Sequence, residues 1–296
     1  MKRSEQINFA SDNFAGAHSA ITEALRLNAE GRATAYGKSE IDLKIEGIFN
    51  QVFKKEVAVF FVATGTAANA LSMAFFNKPG GVIFAHEHCH MVEDECGNFI
   101  LFFKNYLLKI LFLGAVEHIT GGARFCGIPG RYGKIDSEDL DTAIQRYKPE
   151  FVHSGRPMAV SITQSTESGT VYSLEHIDAI AAVCQKHSLP LHMDGARFAN
   201  ALTRLQCTPA EMTWKRGVDV CSFGATKNGC WCAEAIVVFN DVARAITEMP
   251  FLRKRDAHLF SKTRFIAAQF DAYFHDGLWL QNAQNANKMA ELLARK

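Results

Sequence analysis

The sequence predicts an α/β fold in which a mostly parallel central sheet is flanked by helices. Short apolar runs, typical of strands buried on both faces, alternate along the chain with amphipathic helical patterns. Two of these runs end in an ionisable residue: the stretch 189–197 contains Asp194, and the stretch 218–227 ends in Lys227. A third run leads into a Thr-Gly-Thr turn and an alanine-rich helix. Because ligands of open parallel sheets bind at the carboxyl ends of the strands, we expect one site there.

The composition is that of an ordinary globular enzyme. The 296 residues are 48% hydrophobic and 21% charged, and the net charge of +1 gives no electrostatic reason to expect nucleic acid or a membrane surface as a partner. The length allows one large domain, alone or with a smaller one. The eight cysteines lack the spacing of a disulfide framework, and no apolar signal-peptide region follows the N-terminus. We therefore expect a cytoplasmic protein with reduced cysteines.

The first two helices are expected at Ser19–Leu27 and Glu40–Phe53, the second because its isoleucines recur at helical spacing. Ser11 or Asp12 would then cap the first helix. Tyr36, which precedes a glycine, is read as a turn aromatic.

The third apolar run predicts a phosphate-binding turn. The buried strand 57–62 continues into Thr-Gly-Thr and an alanine-rich helix. A helix N-terminus presents free N–H groups and the positive end of the helix dipole, Gly65 lets the backbone approach a ligand closely, and the Thr66 hydroxyl adds a donor. An ordinary capped helix is the alternative, because Thr-Gly-Thr alone is common.

A strand at 81–85 is followed by three histidines at alternating positions, His86, His88 and His90. This spacing raises the possibility of a metal site. Since no separate ligand pair stands out, we expect no metal.

The remaining elements follow from periodicity and turn residues. A helix at 136–146 is capped by Asp136, a strand and loop occupy 160–172, and Ser173 caps the next helix. A final strand is expected at 234–240, with helices at 251–274 and 281–295.

The apolar stretch 99–113 does not fit this alternation. It is too short, and too interrupted by Lys104 and Lys109, to span a bilayer. It could be a surface amphipathic helix, a contact with a partner, or sequence foreign to the native message.

An aspartate and a lysine at two strand ends suit pyridoxal phosphate. The lysine binds the cofactor covalently, and the aspartate keeps the pyridine nitrogen protonated so that the ring accepts electrons. Taken alone, Lys227 could be a surface lysine and Asp194 a turn residue. Their occurrence together, in this order, favours the cofactor.

The segments 192–197 (His-Met-Asp-Gly-Ala-Arg) and 222–229 (Ser-Phe-Gly-Ala-Thr-Lys-Asn-Gly) resemble the low-specificity L-threonine aldolases. These are fold type I enzymes, related to aspartate aminotransferase, that use pyridoxal 5'-phosphate. The resemblance implies a carbon–carbon lyase that cleaves L-threonine or L-allo-threonine to glycine and an aldehyde, in a homodimer or homotetramer with shared active sites. Another fold type I activity, β-elimination or transamination, and an inactive truncated member of the family are the alternatives.

The resemblance also implies roles for single residues. Lys227 would carry the cofactor, Asp194 would hold its pyridine nitrogen, and Gly65 and Thr66 would bind its phosphate. His90, five residues before a Glu-Cys step, would stack on the ring and help to remove the β-hydroxyl proton; His88 is the alternative if the register slips.

Further contacts are implied less directly. Gln164, with Thr166, would make polar contacts to the cofactor. Arg197 would bind the substrate carboxylate or the ring hydroxyl, unless it forms a surface ion pair. Ser11 would lie near the substrate carboxylate, and Tyr36 would approach the active site of a neighbouring subunit. His153 and Arg156 resemble a histidine–arginine pair near the family's active site.

Two departures from the family pattern shape the expected domains. The stretch 99–113 looks inserted, because the family passes this point with a shorter connection, and the family continues beyond Lys296 with an arginine that binds substrate. We therefore expect an N-terminal arm at 1–35, a large cofactor-binding domain at 36–245 with an insert at about 99–118, and the start of a small, truncated C-terminal domain at 246–296. A chain of this kind would be a poor catalyst.

Overall fold

The protein is described from a computed structural model that covers residues 11–96, 98–103, 106–111, 114–148 and 150–295. A seven-stranded sheet forms its centre, and a two-stranded sheet lies apart from it. The strands are β1 Ala58–Val62, β2 Gly81–His86, β3 Asn98–Phe103, β4 Tyr106–Leu111, β5 Arg124–Ile128, β6 Arg156–Thr163, β7 Leu191–Gly195, β8 Val218–Gly224 and β9 Glu234–Val238.

The main sheet has the order β1-β9-β8-β7-β6-β2-β5. Strand β9 is antiparallel to both of its neighbours, and the other four pairs are parallel. The predicted α/β class with a mostly parallel sheet is confirmed. Because β6, β7 and β8 run side by side in the same direction, their carboxyl ends lie at one edge.

Helices cover both faces of this sheet, as the alternating pattern predicts. They are α1 Ser19–Leu27, α2 Glu40–Phe53, α3 Gly65–Phe75, α4 His90–Glu93, α5 Ala115–Thr120, α6 Ser137–Gln145, α7 Leu174–Lys186, α8 Phe198–Leu205, α9 Pro209–Met212, α10 Val242–Arg255, α11 Arg264–Phe274 and α12 Leu278–Ala294. Within the described part of the chain, no helix combines the length and apolar character needed to cross a membrane.

The helix predicted at 251–274 is two helices. The chain leaves the helical conformation after α10, where Ala257 has a φ of 62°, a left-handed value that an α-helix cannot contain. The periodicity of the apolar residues continues past this break, so it did not reveal the break.

The caps of α6 and α7 are as predicted. Asp136 accepts a hydrogen bond from Glu138 N at 2.8 Å, and Ser173 accepts one from His176 N at 3.2 Å. The predicted cap of α1 by Ser11 or Asp12 is wrong. His18, directly before the helix, caps it through Nδ1. A cap must stand at the first turn, and Ser11 instead caps a short 3-10 helix, Asp12–Phe14.

The central strands are joined by a buried polar side chain as well as by their backbones. His192 of β7 bonds through Nδ1 to Ser161 of β6 at 2.8 Å and through Nε2 to Ser222 of β8 at 2.9 Å. Burial lowers the pKa of His192 to about 4, so the ring is neutral near pH 7. The three strands are therefore fixed to each other two residues before Asp194.

The C-terminal helices pack on the same sheet. Phe270 of α11 and Trp279 of α12 lie 6.1 and 6.2 Å, between ring centroids, from Phe223 of β8. Aromatic rings at such distances contribute packing energy beyond their buried area. These helices thus brace the strand that leads to Lys227, and the division at residue 245 into a large and a small domain stays a prediction.

The described residues of the apolar stretch 99–113 lie in two strands, so the surface-helix alternative is wrong. Strands β3 and β4 pair antiparallel, from Asn98 opposite Leu111 to Phe103 opposite Tyr106. Its phenylalanines, tyrosine and isoleucines are residue types that favour strands.

Candidate active site

Five of the predicted site residues line one cavity of about 240 Å³ at the carboxyl ends of β7 and β8. These residues are Gly65, Thr66, His90, Asp194 and Lys227. They come from four different elements that are far apart in sequence. The fold therefore brings Asp194 and Lys227 to one cavity, as the strand-end reasoning predicts, together with residues that the resemblance implied.

The N-terminus of α3 forms one wall of this cavity. Thr64 is the cap, and its side chain accepts a hydrogen bond from Ala67 N at 3.1 Å. The first N–H groups of a helix have no acceptor within it, and they carry the positive end of its dipole. Gly65 and Thr66 stand at these first positions. This wall is suited to an anion such as a phosphate.

Asp194 lies at the end of β7 and is 3% exposed. Its Oδ2 accepts a hydrogen bond from Asn69 Nδ2 at 2.9 Å, and its Oδ1 accepts one from Ala196 N at 3.0 Å. Two donors fix the orientation of this carboxylate in a nearly dry environment. Asn69 was missed at the sequence level, although a polar residue within the alanine-rich helix 65–75 is a signal for it.

A second buried carboxylate connects Asp194 with His90. Asn69 Nδ2 also donates to Glu95 Oε1 at 3.0 Å, and His90 Nδ1 lies 2.9 Å from the same oxygen. The hydrogen bond to Glu95 raises the pKa of His90, partly against burial, and burial raises the pKa of Glu95. An Nδ1–H that donates to Glu95 leaves Nε2 of His90 as the acceptor.

The other two histidines lie outside the cavity. His88 pairs with Glu93 at 2.7 Å on the exposed side of α4, and His86 Nε2 lies 3.0 Å from Gly130 O. The structure thus places His90 at the cavity, and not His88, which was the alternative.

Lys227 stands in a short turn directly after β8. The next residue, Asn228, donates from Nδ2 to Tyr273 Oη at 2.7 Å and to Trp279 O at 2.8 Å. These hydrogen bonds fix the turn to α11 and α12. Lys227 is the one lysine that lines the cavity among the residues described.

Arg197 takes the ion-pair alternative in this structure. Its Nε and one terminal nitrogen donate to the two carboxylate oxygens of Asp12 at 2.8 and 3.2 Å. It does not line the cavity. Its contact with a substrate carboxylate stays a prediction and requires the exchange of Asp12 for the substrate. Ser11 neighbours this pair and is not a lining residue.

Gln164, Thr166 and Tyr36 also lie outside the cavity lining. Both amide atoms of Gln164 are bonded to the backbone of Tyr172 at 3.0 Å, and Thr166 Oγ1 donates to Tyr132 O. These side chains support the loop after β6. Tyr36 is 48% exposed, and its predicted approach to a neighbouring subunit stays a prediction.

The predicted pair His153 and Arg156 does not line the smaller cavity, so its expected place near the active site is wrong. Arg156 begins β6, at the opposite edge of the sheet from Thr163, where the strand ends. It lines a larger cavity, of about 770 Å³, at that edge together with Lys78 and Lys148. Among the residues described, no carboxylate lines this larger cavity, whereas Asp194, Glu167 and Glu234 line the smaller one.

Two acidic residues of the smaller cavity were missed. Burial raises the pKa of both Glu167 and Glu234, the latter to about 7. Glu167 follows the predicted contact Thr166, and Glu234 is a charged residue at the start of the apolar strand 234–238. A buried strand that begins with a glutamate is the signal that could have found the second one.

Replacing Glu95 with glutamine tests the role of the buried carboxylate beside His90. Because Glu95 raises the pKa of His90, its loss should lower that pKa, and His90 should then be neutral down to a lower pH. We expect the acid limb of the pH profile of kcat/KM to move to lower pH. The plateau value of kcat/KM should fall about tenfold, because the imidazole ring of His90 is less well oriented. Glu93→Gln, at the neighbouring exposed pair with His88, is the control and should leave the profile in place. An unshifted profile in Glu95→Gln would contradict this role.

Comparison with known proteins agrees with this geometry. A family described as Beta-eliminating lyase matches residues 8–296. The chain is 38% identical over 292 residues to a low specificity L-threonine aldolase of Pseudomonas aeruginosa, covering 97% of this chain and 77% of the relative. It is 35% identical over 287 residues to the enzyme of the same description from a Pseudomonas species, with the same coverage.

Solved structures show the same fold. A threonine aldolase of Leishmania major superposes with a TM-score of 0.84 at 26% identity, covering 96% of this chain and 77% of that one. An archaeal alanine:glyoxylate aminotransferase, 14% identical, superposes with a TM-score of 0.64 over 89% of this chain and 61% of its own, which is evidence of the fold alone.

Proposed function

This chain belongs to the beta-eliminating lyase family, and from that premise we propose that it is an aldolase dependent on pyridoxal 5'-phosphate. It cleaves L-threonine, L-allo-threonine and related β-hydroxy-α-amino acids to glycine and an aldehyde. The observation that carries this proposal is the one cavity that Lys227, Asp194 and the N-terminus of α3 line together. Relatives that share more than a third of its sequence over most of their length are described as low specificity L-threonine aldolases.

Three parts of the cavity lining suit the three polar parts of the cofactor. The N-terminus of α3 suits the phosphate, the carboxylate of Asp194 suits a protonated pyridine nitrogen, and the amine of Lys227 suits the aldehyde. When bound, the cofactor supplies an electron sink for the pair of electrons released as the Cα–Cβ bond breaks. The protein supplies orientation and proton transfer.

Asp194 keeps a proton on the pyridine nitrogen, and the donors Asn69 and Ala196 N hold its carboxylate in place. His90, oriented by Glu95, accepts the β-hydroxyl proton at Nε2, directly or through a water molecule. That proton must leave for the hydroxyl carbon to become the aldehyde. Arg197 binds the substrate carboxylate through its planar pair of donors once Asp12 releases it.

We extend the proposal to assembly and location. Fold type I enzymes share active sites between subunits, and we propose a homodimer or homotetramer in which Tyr36, exposed in the single chain, contacts a neighbour. The eight cysteines are free thiols, and this supports a reducing, cytoplasmic compartment.

The reaction products decide between this activity and its nearest rivals. Incubation with L-threonine should give glycine and acetaldehyde in equal amounts, and with L-allo-threonine the same products. A β-eliminating lyase would give 2-oxobutyrate instead, and an aminotransferase would depend on a 2-oxo acid as co-substrate. If 2-oxobutyrate accumulates without glycine, the aldolase proposal is wrong although the cofactor site stands.

A further inference from the structure

Glu234 is a buried carboxyl group at the active-site edge of the sheet. It is the first residue of β9 and is 5% exposed. Because β9 runs antiparallel, its first residue lies opposite Val62 and Gly224, the last residues of β1 and β8. At this end of the strand, Glu234 lines the proposed cofactor cavity.

The carboxyl group of Glu234 lies between the N-terminus of α3 and the turn Thr226–Asn228, which contains Lys227. Its Oε1 accepts a hydrogen bond from Thr226 N at 3.3 Å. Its Oε2 would be 4.0 Å from a Cβ atom added to Gly65, the first residue of α3. The second oxygen thus faces the helix end that suits the cofactor phosphate.

A carboxylate and a phosphate dianion in this position would repel each other in a water-poor site. The charged groups that face Glu234 are Lys227, which favours the ionised form, and Asp194, which disfavours it. Burial is the largest influence and raises its pKa to about 7, against the hydrogen bonds from Thr226. A carboxyl group of this kind can hold a proton near neutral pH.

The other titratable groups around Glu234 do not change this balance. Cys230 and Cys232 lie on the loop before β9, and Tyr273 packs from α11. Burial raises the pKa of all three above their ordinary values, so they are uncharged near pH 7. Lys227 and Asp194 are therefore the charges that act on Glu234.

We propose that Glu234 is a phosphate-binding residue that acts as a carboxylic acid, donating its O–H to the phosphate of the cofactor. This inference rests on the proposed function, because it names a further contact of the same cofactor. Below the pKa of Glu234 the group already carries its proton. Above it, the protein must take up one proton to bind the cofactor, so the affinity falls by about tenfold per pH unit. Cofactor binding is then coupled to proton uptake.

The test is the number of protons taken up when the apo-protein binds pyridoxal phosphate. Calorimetric titrations near pH 8, in two buffers of different ionisation enthalpy, give this number together with Kd. Wild type should take up about one proton more than Glu234→Gln, and Kd of the variant should lose the tenfold-per-unit dependence. Glutamine keeps the size of the side chain and a donor for the phosphate, but it cannot titrate.

Two controls make the result specific. Pyridoxal, which lacks the phosphate, should give equal proton uptake in wild type and Glu234→Gln. Glu167→Gln removes another carboxyl group that lines the cavity and should keep the wild-type proton number with pyridoxal phosphate. Equal proton uptake by wild type and Glu234→Gln would overturn the inference while leaving the proposed function intact.

Other failures are distinguishable from this one. If wild type does not bind pyridoxal phosphate at all, the proposed function and this inference both fall. If Glu234→Gln does not fold, the wild-type contrast between pyridoxal phosphate and pyridoxal decides. Equal proton uptake with the two ligands then overturns the role of Glu234 at the phosphate.

Discussion

Replacement of Lys227 with alanine should abolish threonine cleavage while the protein still folds. The loss in kcat/KM should be about a thousandfold or more, which corresponds to at least about 4 kcal/mol of transition-state stabilisation. Lys227 contributes the one lysine amine of the cavity among the residues described, so no neighbour can replace it. The turn itself is held by Asn228 and not by the lysine side chain, so we expect a normal melting temperature.

The measurement combines steady-state glycine formation with the visible absorbance of the bound cofactor. Borohydride reduction followed by peptide mass mapping should label Lys227 in wild type and no lysine in the variant. Lys288→Ala, on the exposed face of α12, is the matched control and should keep both signals. A reducible cofactor attached to a different lysine in the variant would show that the assignment is wrong.

Replacement of Asp194 with asparagine should keep some cofactor binding and lose most of the turnover. A neutral amide cannot hold the pyridine nitrogen positive, and without that charge the ring is a poor electron sink. We expect kcat to fall by about a hundredfold to a thousandfold, or about 3–4 kcal/mol. Stability should also fall, because Asn69 and Ala196 N are both donors toward Asp194, and an asparagine can accept on one side only. The lost hydrogen bond should cost about 1–3 kcal/mol.

Kinetics, cofactor content and thermal unfolding separate these two effects. Asn69→Ala is a suitable comparison, because it removes one donor to Asp194 and leaves the charge. It should resemble Asp194→Asn in stability and wild type more closely in kcat. A near-normal kcat in Asp194→Asn would refute the electrostatic role of this carboxylate.

The cofactor cluster could be predicted from sequence because each of its members stands at a strand or helix end. Gly65 begins α3, Asp194 is the next-to-last residue of β7, and Lys227 follows β8. Parallel strands bring such ends together. His90 followed from a resemblance and not from periodicity.

The side chains that bind to one another across the fold could not be predicted in the same way. Asn69 and Glu95 meet through the packing of α3 against the loop after α4, and Arg197 meets Asp12 across 185 positions of sequence. Neither pair has a pattern in sequence. Gln164 forms hydrogen bonds with the backbone of Tyr172, and this depends on the path of the loop, which the residue types alone do not reveal.

The position of β1 has a consequence for synthesis of the chain on the ribosome. β1 leads to the N-terminus of α3, yet among the described strands its one partner is β9, with Ala58 opposite Val238. The edge strand made first must therefore wait for the strand made last, since long-range pairing is formed late and at a high cost in chain entropy. Until β9 leaves the ribosomal exit tunnel, β1 and α3 have apolar surface without its final cover, and a nascent chain in that state is prone to association. The candidate site is thus completed only after β9 has been synthesised, and we expect chaperones that shield nascent chains to act on this protein mainly before that point.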